Sequence, residues 1–163
     1  MPIFHKMNFL IIEDDDPKLN AVTATLLEMD ETANILTASS VASAINIISE
    51  ETIHLAIVDM SLPAFDILND LNGGGRPQGF GGRDILRFLE AEQPDASAIV
   101  LTQYEEFNVN TFYGNSQNLR SISDELIDEF PEILRDVIYY SGRRGDWRDK
   151  LKNIINEMDK DYK

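Results

Sequence analysis

The 163-residue chain has no cysteine. Disulfides and thiolate metal sites are therefore excluded, and the absence agrees with a reducing compartment. Positive charge is scarce. Fourteen Lys and Arg stand against twenty-nine Asp and Glu, a net charge of −15. Nucleic-acid binding needs cations to neutralise phosphates, so no nucleic-acid partner is expected. Long apolar runs are missing too. No stretch is long enough to span a bilayer, and Met1-Pro-Ile-Phe-His-Lys6 has no apolar leader. A cytoplasmic protein with no membrane partner is expected. Histidine is limited to His5 and His54, which are read as isolated from each other and from the acids at the strand ends, and as ordinary.

What is present suits one domain. The apolar fraction is 43%, near the globular norm. Asn8-Phe-Leu-Ile-Ile-Glu13 is a short apolar run closing on Glu13-Asp14-Asp15-Asp16. Asp16-Pro17 predicts a helix start with Asp16 as cap. Leu19, Val22, Leu26 and Leu27 then recur at helical spacing to about Met29. A strand is predicted at Asn34–Ala38, followed by a helix capped by Ser40. The run Leu55-Ala-Ile-Val-Asp59 reads as a central parallel strand covered on both faces. A helix over Arg83–Glu92 leads to a fourth strand, Ser97-Ala-Ile-Val-Leu-Thr102. Ser123–Leu134 is helical in pattern, with a kink at Pro131 or a break there into two short helices. Asp136–Tyr140 is the fifth predicted strand, and Asp146 is read as the cap of a last helix with the stripe Trp147, Leu151, Ile154, Ile155 and Met158.

Strand and helix alternate five times, which predicts an α/β fold: a doubly wound, five-stranded parallel sheet with helices on both faces. Two connections are long. Ala64–Gly82 holds Gly73-Gly-Gly75, Gly79, Gly81 and Gly82, and Gln103–Asn118 is read as irregular. The first ends in no Gly-Lys-Ser or Gly-Lys-Thr, so it is not read as a phosphate-binding loop. Residues 143–163 carry seven of the fourteen basic side chains and five acids. That segment is either a solvated helix face or a docking surface for an acidic partner such as a second copy.

Right-handed crossovers bring the C-terminal ends of parallel strands to one edge of the sheet. Glu13 and Asp14, Asp59 and Thr102 should meet there. Carboxylates crowded together call for a cation, and hard oxygen ligands suit Mg²⁺. A metal-bound carboxylate beside a hydroxyl donor can accept a phosphoryl group.

Three segments resemble, in this order, the receiver domain of response regulators in two-component signalling. They are Phe9-Leu-Ile-Ile-Glu-Asp14 with its Asp-Pro helix start, Leu55-Ala-Ile-Val-Asp59-Met-Ser-Leu-Pro63, and Ala98-Ile-Val-Leu-Thr102. The helix from Gly82 to Pro94 is similar in style to the family's third. The resemblance implies a flavodoxin-like receiver fold over residues 1–163, with insertions near 64–81 and 103–121. It implies that Asp59 takes phosphate from a sensor histidine kinase or phosphotransfer protein. Asp14, Asp59 and the carbonyl of Ser61 would bind Mg²⁺, with Glu13 acting through metal-bound water, and Thr102 would contact the phosphate. Ser61 also sits where the family tunes the lifetime of the phosphoryl group.

The output implied is contact with a downstream protein. A homodimer through the fourth helix, fifth strand and last helix is one form of it. The chain is not expected to be an enzyme, nor to carry an output domain after the last helix. A departure stands out. The family closes its fifth strand with a lysine, and here Val137-Ile-Tyr-Tyr140-Ser141 has none. Tyr140 or Ser141 falls at that position, and Arg143, Arg144 or Lys150 is the replacement considered. The alternative expectation is a pseudo-receiver, an interaction module independent of phosphorylation. A phosphate-ester hydrolase is a third reading, disfavoured because Ser61 stands where a second acid belongs.

Overall fold

The structure is a computed structural model that describes residues 7–62, 81–103, 106–108, 116–141 and 145–161. Five strands, β1 (Asn8–Ile12), β2 (Asn34–Ala38), β3 (Leu55–Val58), β4 (Ser97–Thr102) and the later β7 (Leu134–Tyr139), form one sheet. Their order is β2-β1-β3-β4-β7 and every pairing is parallel. This is the doubly wound, flavodoxin-like arrangement expected, in which the crevice for ligands lies beyond the carboxyl ends of the central strands.

Alternation along each strand sorts the side chains into two cores. Leu10, Ile12, Ala56, Val58, Ala98 and Val100 pack under α2 (Val41–Glu50), α3 (Gly81–Glu92) and α4 (Leu119–Glu129). Phe9, Ile11, Leu55, Ile57, Ile99 and Leu101 pack under α1 (Asp16–Met29) and α5 (Asp146–Asp161). β3 and β4 are buried along their whole length, and β1 is buried after its first residue. That double burial is why these strands read as unbroken apolar runs: each such side chain contributes about 1.5–3 kcal/mol when fully removed from water. Trp147 anchors α5 in the second core, as its stripe predicts.

Local signals set the helix ends. α1 is capped by Asp15, not Asp16; the Asp15 side chain accepts the Lys18 N–H at 3.1 Å, and Pro17 lies in the first turn. α2 starts with a reciprocal box in which Ser40 and Ser43 each bond the other's backbone N–H. α4 begins before the expected Ser123 and stops at Glu129, one residue ahead of Phe130-Pro131, where a helix would need the N–H that proline lacks. Phe130–Ile133 is a turn, not helix.

The connection after β4 is not wholly irregular. Glu106–Asn108 (β5) and Ser116–Asn118 (β6) pair antiparallel. Of the glycine-rich connection, Gly81 and Gly82 belong to α3, while 64–80 lie outside the described residues. Among the described residues no helix is long and apolar enough to cross a membrane.

Candidate functional site

The strand register carries the acids to one edge. The Glu13 N–H donates to the Ala38 carbonyl and the Asp59 N–H to the Ile12 carbonyl, which extends the ladders one residue past β1 and β3. Glu13 and Asp59 are buried there; Asp14 is exposed beside them. Carboxylate oxygens of all three lie within 4.8 Å of one another. Val58 pairs with Val100, so Thr102 lies one residue beyond the β4 position opposite Asp59. Thr102 is fully buried, and its carbonyl accepts the Tyr140 N–H at 2.7 Å. Ser61 is half-buried two residues past Asp59, and its backbone N–H faces the Asp59 carboxylate.

Lys18 is the member that sequence reasoning missed. It is 1% exposed. Its Nζ pairs with Glu13 Oε2 at 2.8 Å, lies 3.4 Å from Asp59 Oδ1, and donates to the Leu101 carbonyl at 2.6 Å. The Tyr140 ring centroid is 5.6 Å away. One ammonium thus joins the ends of β1, β3 and β4. The sequence carried a signal: Lys18, Val22 and Leu26 are spaced by four, so the lysine falls on the buried stripe of α1. A cation in a helix's first turn also opposes the helix dipole, so it needs an anion nearby. Of the cations considered instead, Lys150 is exposed on α5, and Arg143 and Arg144 lie outside the described residues.

Gly82 is the second omission. A Cβ there would stand 2.5 Å from the Asp59 carbonyl oxygen and 2.9 Å from Met60 Cα. Its N–H donates to the Met60 carbonyl at 3.1 Å. Only a residue without a side chain lets α3 press on the backbone that aims Asp59.

The electrostatics are strained toward protonation. Burial raises the Glu13 carboxyl to about 7, helped by the Asp59 charge and opposed by Lys18. Burial also raises Asp59, against the pull of Lys18 and the Ser61 N–H, and it raises Asp14. Asp59 Oδ1 is buried and makes no hydrogen bond. When all three carboxyls are ionised, they and the one ammonium leave an excess of two negative charges, which one divalent ion would balance. An all-oxygen donor set, with one buried oxygen that makes no hydrogen bond and has only the Lys18 ammonium at 3.4 Å, fits Mg²⁺.

No family model matches the chain. It is 24% identical over 156 residues to the uncharacterized protein y4jR of Sinorhizobium fredii, covering 94% of this chain and all of that one. It is 22% identical over 156 residues to the Detocs response regulatory protein DtcB of Enterobacter cloacae, covering 93% and 100%. Among solved structures, a CheY-like response regulator receiver domain protein from Methanospirillum hungatei superposes with a TM-score of 0.59 at 19% identity, covering 95% of this chain and 98% of that one. The architecture is that of a response-regulator receiver domain.

Proposed function

We propose that this receiver-fold chain accepts a phosphoryl group on Asp59 from a phosphohistidine of a sensor kinase or phosphotransfer protein, and passes the change on by protein contact. The observation that carries the reading is Asp59 Oδ1: a buried carboxylate oxygen with no hydrogen bond, at the end of a central strand, among further acids. A nucleophile in this setting is held in place by backbone on both sides. The Asp59 N–H is tied to β1, and Gly82 packs on its carbonyl.

Glu13, Asp14, Asp59 and the main chain of Ser61 would hold Mg²⁺. When bound, the ion supplies positive charge to the oxygens of the transferring group. Thr102 offers a hydroxyl to one of those oxygens, and its backbone bond to Tyr140 links that contact to the segment after β7. Ile127 on α4 and Tyr139 on β7 are exposed large apolar side chains, which suits a contact face for a downstream protein or a second copy. The DtcB relative, a response regulatory protein by name, supports a signalling role.

The test is Mg²⁺ with acetyl phosphate. The chain should gain one phosphoryl mass on Asp59, and Asp59→Asn should gain none. A second reading is favoured by one observation: Lys18 already gives Glu13 and Asp59 a built-in cation. On that reading the chain is a pseudo-receiver that binds partners without phosphorylation. Labelling that stays absent while partner binding persists would select it.

A further inference from the structure

We infer that Lys18 is the cation that holds the transferred phosphoryl group, supplied from the first turn of α1 in place of a lysine at the end of the fifth sheet strand. The inference rests on the phosphoacceptor reading of Asp59.

The geometry places an ammonium where the new charge arrives. Lysine has three N–H donors. One meets Glu13 Oε2 and one the Leu101 carbonyl, which fixes Nζ beside Thr102's own strand. The third has Asp59 Oδ1 within 3.4 Å, longer than the 2.7–2.9 Å of a good charge-assisted bond. That slack leaves a donor to spare for a phosphoryl oxygen. In the transfer, the P–N bond of a phosphohistidine breaks and a P–O bond to Asp59 forms. The imidazole leaves with the electron pair. A carboxylate of one negative charge becomes an acyl phosphate of about two. Lys18 meets that added charge without repacking, since its other contacts run to different strands.

The site is built around this lysine. Asp15 accepts the Lys18 backbone N–H, and the Asp15 N–H donates to Glu13 Oε1 at 3.1 Å, so one turn fixes both ends of the Lys18–Glu13 pair. Tyr140 lies just beyond β7. Its ring packs tilted against Trp147 with centroids 5.0 Å apart, and the Lys18 ammonium lies over it at 5.6 Å from the centroid. A lysine at 140 and a lysine at 18 would reach for the same space, which accounts for the aromatic residue there.

The experiment titrates beryllofluoride into the full chain with saturating Mg²⁺, and Mg²⁺ alone in parallel. Lys18→Met should weaken beryllofluoride binding at least tenfold and leave Mg²⁺ affinity equal or higher, because a competing cation is gone. Lys18→Met combined with Tyr140→Lys should recover part of the lost affinity. Unchanged beryllofluoride binding in Lys18→Met overturns the inference. Equal loss of both ligands, or no recovery in a folded double variant, assigns Lys18 a structural role and also overturns it. If Lys18→Met does not fold, Lys18→Arg decides: its fork should change beryllofluoride affinity but not Mg²⁺ affinity, and equality with the parent overturns the inference. A parent chain that binds Mg²⁺ but never beryllofluoride sinks the phosphoacceptor reading itself. That outcome is distinct from a parent that binds and a variant that binds equally.

Discussion

At the edge where the strands begin, Gln93 donates to the carbonyls of Ile48 and Glu51 at 2.8 and 2.7 Å and accepts the Ile53 N–H at 2.8 Å. His54 Nδ1 accepts the Asn8 N–H, and the Asn8 side chain donates to the Thr52 carbonyl. At the edge where the strands end, Glu13 and Asp59 are buried with raised carboxyls, and Asp59 Oδ1 goes without a hydrogen bond. Gln93 and Asn8 at the first edge are neutral amides with their partners in place. The second keeps charge that its own residues only partly neutralise. Satisfied polar groups stabilise a fold, whereas unsatisfied buried ones mark a place where a ligand completes the set.

The sharpest break of this contrast is Asp59→Asn. It should abolish phosphoryl labelling and leave urea stability no lower than the parent's, because it removes a carboxylate that burial disfavours. A large stability loss would mean that Asp59 holds the fold and that the contrast is false.

Next in size is the pH response. The Glu13 carboxyl sits at about 7 in the folded chain against 4.5 for an unperturbed glutamate. A raised carboxyl binds its proton more tightly when folded, so its contribution to stability is full below about 4.5 and is lost as pH rises through about 7. Metal-free protein should therefore lose on the order of 2–3 kcal/mol between those values. Asp14 and Asp59, also raised, act in the same direction. Glu13→Gln should flatten most of the slope in urea melts, and a slope unchanged by that substitution would move the strain elsewhere. Gln93→Ala tests the opposite edge. It leaves the Ile53 N–H and two carbonyls without their partner, at about 2 kcal/mol. Phosphoryl labelling should not change.

The two edges also differ in how they read from sequence. The sheet was legible because β1, β3 and β4 bury both faces and therefore show apolar runs, each closing on a polar residue. The acids and Thr102 followed from parallel topology alone. Lys18 was not, although it lies on the α1 stripe, because its partners Leu101 and Asp59 are distant in sequence and lysine ordinarily faces water. The cap was misplaced by one since Asp15 and Asp16 are chemically equal, and only the Lys18 N–H distinguishes them. The β5–β6 pair was hidden in a polar stretch with no alternation to mark it.

Gly82 joins the edges' logic at the smallest scale. A Gly82→Ala methyl would meet the Asp59 carbonyl at 2.5 Å, which is backbone and cannot swing aside. The start of α3 must then shift, or the Asp59–Met60 peptide must turn. The stability loss should be about 1 kcal/mol, at the low end of overpacking, because Gly82 lies in the helix's first turn and can move with it. The functional effect should exceed the structural one. Turning that peptide re-aims Asp59, whose backbone N–H donates to the Ile12 carbonyl and whose carboxylate meets the Ser61 N–H. Mg²⁺ affinity should fall several-fold, while the hydrogen bonds around Gln93 stay protected from amide exchange. Equal loosening at both edges would show that Gly82 serves the core as a whole, and its contact with Asp59 would then have no separate role in the site.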